Sequence, residues 1–174
     1  MLTLITGGSA SGKSEFAERL LLKCNVHNLI YLATMESNDS ECDARIRRHR
    51  QARAGRGFQT IEQSTGLSNV ILSENSAILL ECLSNLVANE LYCPLGAHEY
   101  AFEEILSGID NICRQAKDVI IVSGEVFTDG ESYDPQTLHY IELMGRLNQA
   151  IAQRADHVIE IVYSIPVYYK GAEL

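Results

Sequence analysis

"LITGGSASGKSE", residues 4–15, runs from an apolar stretch through two glycines to a Gly-Lys-Ser triplet and into a helical pattern. Gly7, Gly8, Ser9, Ala10, Ser11, Gly12, Lys13 and Ser14 satisfy G-x-x-x-x-G-K-[ST] at every fixed position. The context is the one the motif needs, with a buried strand "LTLIT" (2–6) before it and an amphipathic helix from Ser14 after it. Glycines let backbone N–H groups turn inward around a phosphate, and a helix N-terminus adds partial positive charge. Lys13 is expected to reach the β- and γ-phosphates, and the Ser14 hydroxyl to bind Mg²⁺. A cation site of this kind also calls for a carboxylate at the end of a buried strand. Glu81, ending "AILLE", and Glu125, after "VIIVSG", are the candidates.

Outward from the loop, apolar runs alternate with helical patterns. Strands are expected at 28–34, 58–62, 77–82 and 118–126, and helices at 40–54, 84–92, 98–115 and 134–155. "AILLEC" and "DVIIV" show no polar alternation, as expected of strands covered on both faces. Pro135 suits a first helical turn. The end, "HVIEIVYSIPVYYKG", reads as a strand or a hairpin, Pro166 falling at a turn or an edge. The expected fold is α/β, a mostly parallel sheet with helices on both faces, forming a single nucleotide-binding domain over residues 1–174.

The chain has 174 residues and a formal net charge of −9. No apolar run is long enough to span a membrane, no secretory signal is evident, and the five cysteines are irregularly spaced. These features point to a cytoplasmic protein with reduced thiols, and the acidity argues against a nucleic-acid partner. Against that background "ARIRRHRQARAGR" (44–56) stands out, holding six of the ten arginines. On a helix, Glu41, Arg45, Arg48, His49 and Ala52 share one face. A solvated basic helix and a nucleic-acid contact are two readings of it. The favoured one is a polyphosphate clamp around a reactive histidine. Arginine forks match phosphate oxygens, and a neutral imidazole can attack phosphorus. The arginines around His49 would lower its pKa by like-charge repulsion and keep it neutral.

Taken together, "TGGxxSGKS", "YLAT", "ExxxRIxxHR" at 41–50, "TIE" at 60–62, "LLECLSNLVANEL" and "GRLNQAIAxxAD" resemble the bifunctional adenosylcobinamide kinase / adenosylcobinamide-phosphate guanylyltransferases of cobalamin synthesis. The resemblance implies a RecA-like P-loop NTPase fold and a homotrimer. It implies two reactions: a nucleoside triphosphate, ATP or GTP, phosphorylates adenosylcobinamide, and GMP from GTP passes through an enzyme histidine to the new phosphate. That histidine falls on His49. Nucleotide contacts would fall on the loop, on Thr34, on Arg45, Arg48, Arg50, Gln51, Ala52 and Arg53, and on Glu62 and Glu81. A different small-molecule kinase on the same loop, lacking the guanylyl step, is the alternative. The chain departs from the family pattern at Ala10, Phe58, Gly124, Leu138 and Ile141, where Arg, Trp, Asn and two arginines are usual.

Overall fold

The computed structural model describes residues 1–35, 57–125 and 133–174. The expected helix over 40–54 lies outside them. Seven strands form one sheet: β1 (Leu2–Thr6), β2 (Asn28–Ala33), β3 (Phe58–Glu62), β4 (Ser76–Glu81), β5 (Asp118–Val122), β6 (His157–Val162) and β7 (Ile165–Lys170). Their order is β3-β2-β4-β5-β1-β6-β7. Every pairing is parallel except the terminal β6–β7 hairpin. The helices are α1 (Lys13–Leu22), α2 (Leu83–Tyr92), α3 (Ala101–Gln115) and α4 (Pro135–Arg154). None of them is long and apolar enough to cross a membrane.

The apolar runs follow from this layering. Successive strand residues point to opposite faces of a sheet. Leu4, Leu80 and Ile121 join the core under α2, α3 and α4, while their neighbours Ile5, Leu79 and Ile120 join the core under α1. A strand covered on both faces shows no polar alternation, and the polar residues buried in β1 and β4 are the small Thr3 and Ser76. The edges differ. β3 has no buried residue, only Phe58 and Ile61 being half-buried, and Pro166 sits on edge strand β7, where its missing N–H disrupts no further ladder. The α1 face matches the expected pattern, with Ala17, Leu20 and Leu21 buried and Phe16 packed beside them.

The helix expected over 98–115 begins later. His98–Tyr100 forms a 3₁₀ turn, with His98 at φ 51, and the α-helix starts at Ala101. A left-handed residue cannot continue a right-handed helix. Helix α4 starts as the sequence indicates. Asp134 accepts bonds from the N–H groups of Gln136 at 2.9 Å and Thr137 at 3.1 Å, and Pro135 takes the first turn.

Five of the six parallel strands reach a common row at one edge of the sheet. Glu62, Ala33, Glu81, Val122 and Ile5 stand in one register row across β3, β2, β4, β5 and β1. In open parallel sheets, ligands bind beyond this carboxyl edge.

Candidate active site

The phosphate loop leaves β1 at that edge. Gly7 has φ 146 and Gly12 has φ 94, values an L side chain rarely adopts. Both also sit against the β6–β7 hairpin. A Cβ on Gly7 would lie 2.6 Å from the Ile161 carbonyl oxygen, and one on Gly12 would lie 2.6 Å from Ser164 Oγ. Two contacts close the loop: Ser11 N–H donates to the Gly8 carbonyl at 3.2 Å, and Lys13 Nζ donates to the same oxygen at 2.9 Å. Ser9 and Ala10 are exposed at its apex. Helix α1 begins immediately after Gly12 and has no side-chain cap. Its first N–H groups therefore remain open for an anion.

Ser14, on the first turn of α1, donates its hydroxyl to Glu81 Oε1 at 2.5 Å. The two side chains come from elements 67 residues apart and meet at the mouth of the loop. Of the two acids the sequence put forward for the cation, Glu81 reaches Ser14. Glu125 lies three residues beyond β5 and is exposed; its N–H donates to the Gly7 carbonyl at 3.2 Å. A hydroxyl and a carboxylate are hard oxygen donors, the chemistry Mg²⁺ prefers when it shares its shell with phosphates and water.

Thr34 stands at the end of β2 and is fully buried. Its Oγ1 donates to the Cys82 carbonyl at 2.8 Å and accepts from the Cys82 N–H at 2.9 Å. Its own N–H donates to the Glu81 carbonyl at 3.2 Å. Thr34 thus grips the backbone immediately after the Glu81 side chain. Asn89 holds Thr34 in turn, its buried amide donating to the Thr34 carbonyl at 2.7 Å and to the Ser64 carbonyl at 3.1 Å. Asn89 and this clamp were not legible in the sequence, where Thr34 figured as a nucleotide contact. An Asn in an apolar helix is a signal only once its distant partners are known.

Glu62 is exposed at the end of β3, two strands from Glu81 in the same register row. Glu90 interrupts the apolar stretch of α2 because its buried carboxylate accepts from the N–H groups of Gly66 at 2.7 Å and Ala97 at 2.9 Å. It organises two loops. His49, Arg45, Arg48, Arg50, Gln51, Ala52 and Arg53 lie outside the described residues.

The family model for cobinamide kinase / cobinamide phosphate guanyltransferase (CobU) matches residues 3–168. The chain belongs to this family. It is 32% identical to the bifunctional adenosylcobalamin biosynthesis protein CobU of Escherichia coli K12, over 98% of this chain and 100% of that protein. It is likewise 32% identical to the bifunctional adenosylcobalamin biosynthesis protein CobP of Pseudomonas aeruginosa, covering 100% of both chains. Among solved structures it resembles an ATPase from the type III secretion system of pathogenic bacteria. The TM-score is 0.53 at 10% identity, over 91% of this chain and 50% of that one, a likeness of fold alone. The architecture is that of a P-loop NTPase, and the chain is a member of a kinase and guanylyltransferase enzyme family.

Proposed function

We propose that this chain, acting as one nucleotide-binding domain, phosphorylates the aminopropanol hydroxyl of adenosylcobinamide and then transfers GMP from GTP to the product. The final product is adenosylcobinamide-GDP. The observation that carries the reading is the phosphate loop with Ser14 hydrogen-bonded to Glu81 at its mouth, in a chain matched to the family over residues 3–168.

In the kinase step, the open N–H groups of α1 and the loop hold the triphosphate. Lys13, which closes the loop on the Gly8 carbonyl, turns to the β- and γ-phosphate oxygens and offsets the charge that develops there. Ser14 and Glu81 would hold Mg²⁺, which when bound supplies charge neutralisation on the phosphates. Transfer of this kind depends on alignment and charge, with little acid–base chemistry.

In the guanylyl step, His49 attacks the α-phosphorus of GTP with a neutral ring nitrogen, and pyrophosphate leaves. Arg45, Arg48, Arg50 and Arg53 hold the departing phosphates through charge-assisted bonds, with Gln51 and Ala52 lying between them in the chain. The phosphate oxygen of adenosylcobinamide phosphate then attacks the same phosphorus and frees the imidazole. Glu62 and Glu81, in one register row, belong to the nucleotide side of this site. The enzyme works in the cytoplasm as a homotrimer, with a corrinoid and nucleoside triphosphates as its substrates and no nucleic-acid partner.

The test is turnover with purified protein, adenosylcobinamide, GTP and Mg²⁺, followed by mass spectrometry. Adenosylcobinamide phosphate and adenosylcobinamide-GDP are expected in succession. Accumulation of the phosphate alone would reduce the chain to a kinase.

A further inference from the structure

Strands β6 and β7 are joined through the Val162–Ile165 pair, which leaves a turn of only Tyr163 and Ser164. Both have positive φ, 49 and 65. Two left-handed residues in a two-residue hairpin turn match the type I′ pattern, which favours Asn-Gly and disfavours bulky side chains. Tyr163 is nonetheless there, and it is 90% exposed, so packing does not offset the strain. An outlier of this kind, held without a packing reason, points toward a function.

The turn lies on the phosphate loop. Ser164 N–H donates to the Ser11 carbonyl at 2.8 Å, and the Ser164 side chain sits over Gly12. The loop is thus braced from one side by the hairpin and met on the other by Glu81 of β4. In the sheet, β6 and β4 lie on opposite sides of β1. A triphosphate whose cation-bearing end faces Ser14 and Glu81 extends its nucleoside toward the hairpin.

We propose that the Tyr163 ring is the platform on which the base of the loop-bound nucleoside triphosphate stacks. This rests on the kinase reading of the loop. The bracing itself is done by Ser164, through its backbone and its contact with Gly12, so the Tyr163 ring is free to serve the ligand. Every nucleobase has a π-face, so a phenol platform adds affinity without choosing between adenine and guanine.

The experiment is calorimetric titration of the full chain with the magnesium complex of adenylyl imidodiphosphate and, separately, with inorganic tripolyphosphate, which has no base. Tyr163→Gly suits a φ of 49 and keeps or raises the melting temperature. It is expected to weaken the nucleotide analogue by roughly tenfold or more and to leave tripolyphosphate unchanged. Tyr163→Phe and Tyr163→Trp are expected to bind the analogue like wild type. Equal loss of both ligands in Tyr163→Gly would make the tip a brace and overturn the proposal. Wild-type affinity for the analogue in that variant would overturn it too, while leaving the loop's function standing. A wild-type protein that binds neither ligand would overturn the kinase reading together with the platform.

Discussion

Replacing Thr34 with Val tests how the site is held. The two side chains have similar volume, so the substitution removes a hydroxyl and leaves no large void. Oγ1 currently makes two bonds to Cys82. The Cys82 carbonyl keeps a second partner, because Leu86 N–H donates to it at 3.2 Å. The Cys82 N–H loses the acceptor Thr34 supplied. An orphaned buried donor costs about 1–3 kcal/mol, and the lost bond to the carbonyl adds about 1 kcal/mol. The expected destabilisation is therefore about 2–4 kcal/mol. With a urea slope of about 2 kcal/mol per molar, the midpoint falls by roughly 1–2 M. Thr34→Ser keeps both bonds, sheds one methyl, and is expected to lose only about 1 kcal/mol. Equilibrium urea unfolding of the three proteins reads the stabilities, and steady-state kinetics read kcat and KM for the nucleotide. The clamp predicts a stability ranking of wild type, Ser, then Val, with the Val variant losing kcat as Glu81 loosens. A Val variant of wild-type stability and raised nucleotide KM would show that Thr34 contacts the nucleotide instead, and the reasoning would fail.

Two further outcomes follow from the same geometry. Lys13→Ala removes one partly buried bond to the Gly8 carbonyl, so urea stability should move by no more than about 1 kcal/mol while phosphoryl transfer drops roughly 100- to 1,000-fold. Matching losses of stability and activity would point to a structural lysine. At the start of α4, the Asp134 carboxyl is held below its ordinary value by the Thr137 hydroxyl first, then by the N–H groups of Thr137 and Gln136. Because the folded pKa lies below the unfolded one, the cap's contribution is full above the ordinary carboxylate pKa and is lost as pH falls through the folded value. Unfolding free energy measured from pH 7 down to 2 should therefore fall less steeply in Asp134→Asn than in wild type. Identical slopes would remove Asp134 from the acid response.

How much of this was legible beforehand depends on the range of the interactions. The unit of β1, loop and α1 is local: an apolar run, glycines that tolerate positive φ, and a helical stripe at Ala17, Leu20 and Leu21. β4 and β5 were legible because burial on both faces removes polar alternation, as at Leu79–Leu80 and Ile120–Ile121. Strand order was not legible. Nothing near Glu62 says that β3 lies two strands from β4, or that Glu62 and Glu81 share a row. Glu81 and Glu125 were equal candidates from their places after buried strands, and only the fold discloses that Glu81 is the one that reaches Ser14. The same limit hid the hairpin. Gly7 and Gly12 read as phosphate-loop glycines, and the sequence does not disclose that Ile161 and Ser164, some 150 residues later, press on the same two positions. Long-range polar clamps such as Thr34, Cys82 and Asn89 are invisible for the same reason.

The most direct test of the bifunctional account is to incubate the protein with GTP labelled at the α-phosphate and recover the protein under denaturing conditions. A phosphoramidate to His49 predicts one label per chain, stable in base, lost in mild acid, and absent from His49→Ala. A wild-type chain that takes up no label, or a His49→Ala chain that retains it, would contradict the account.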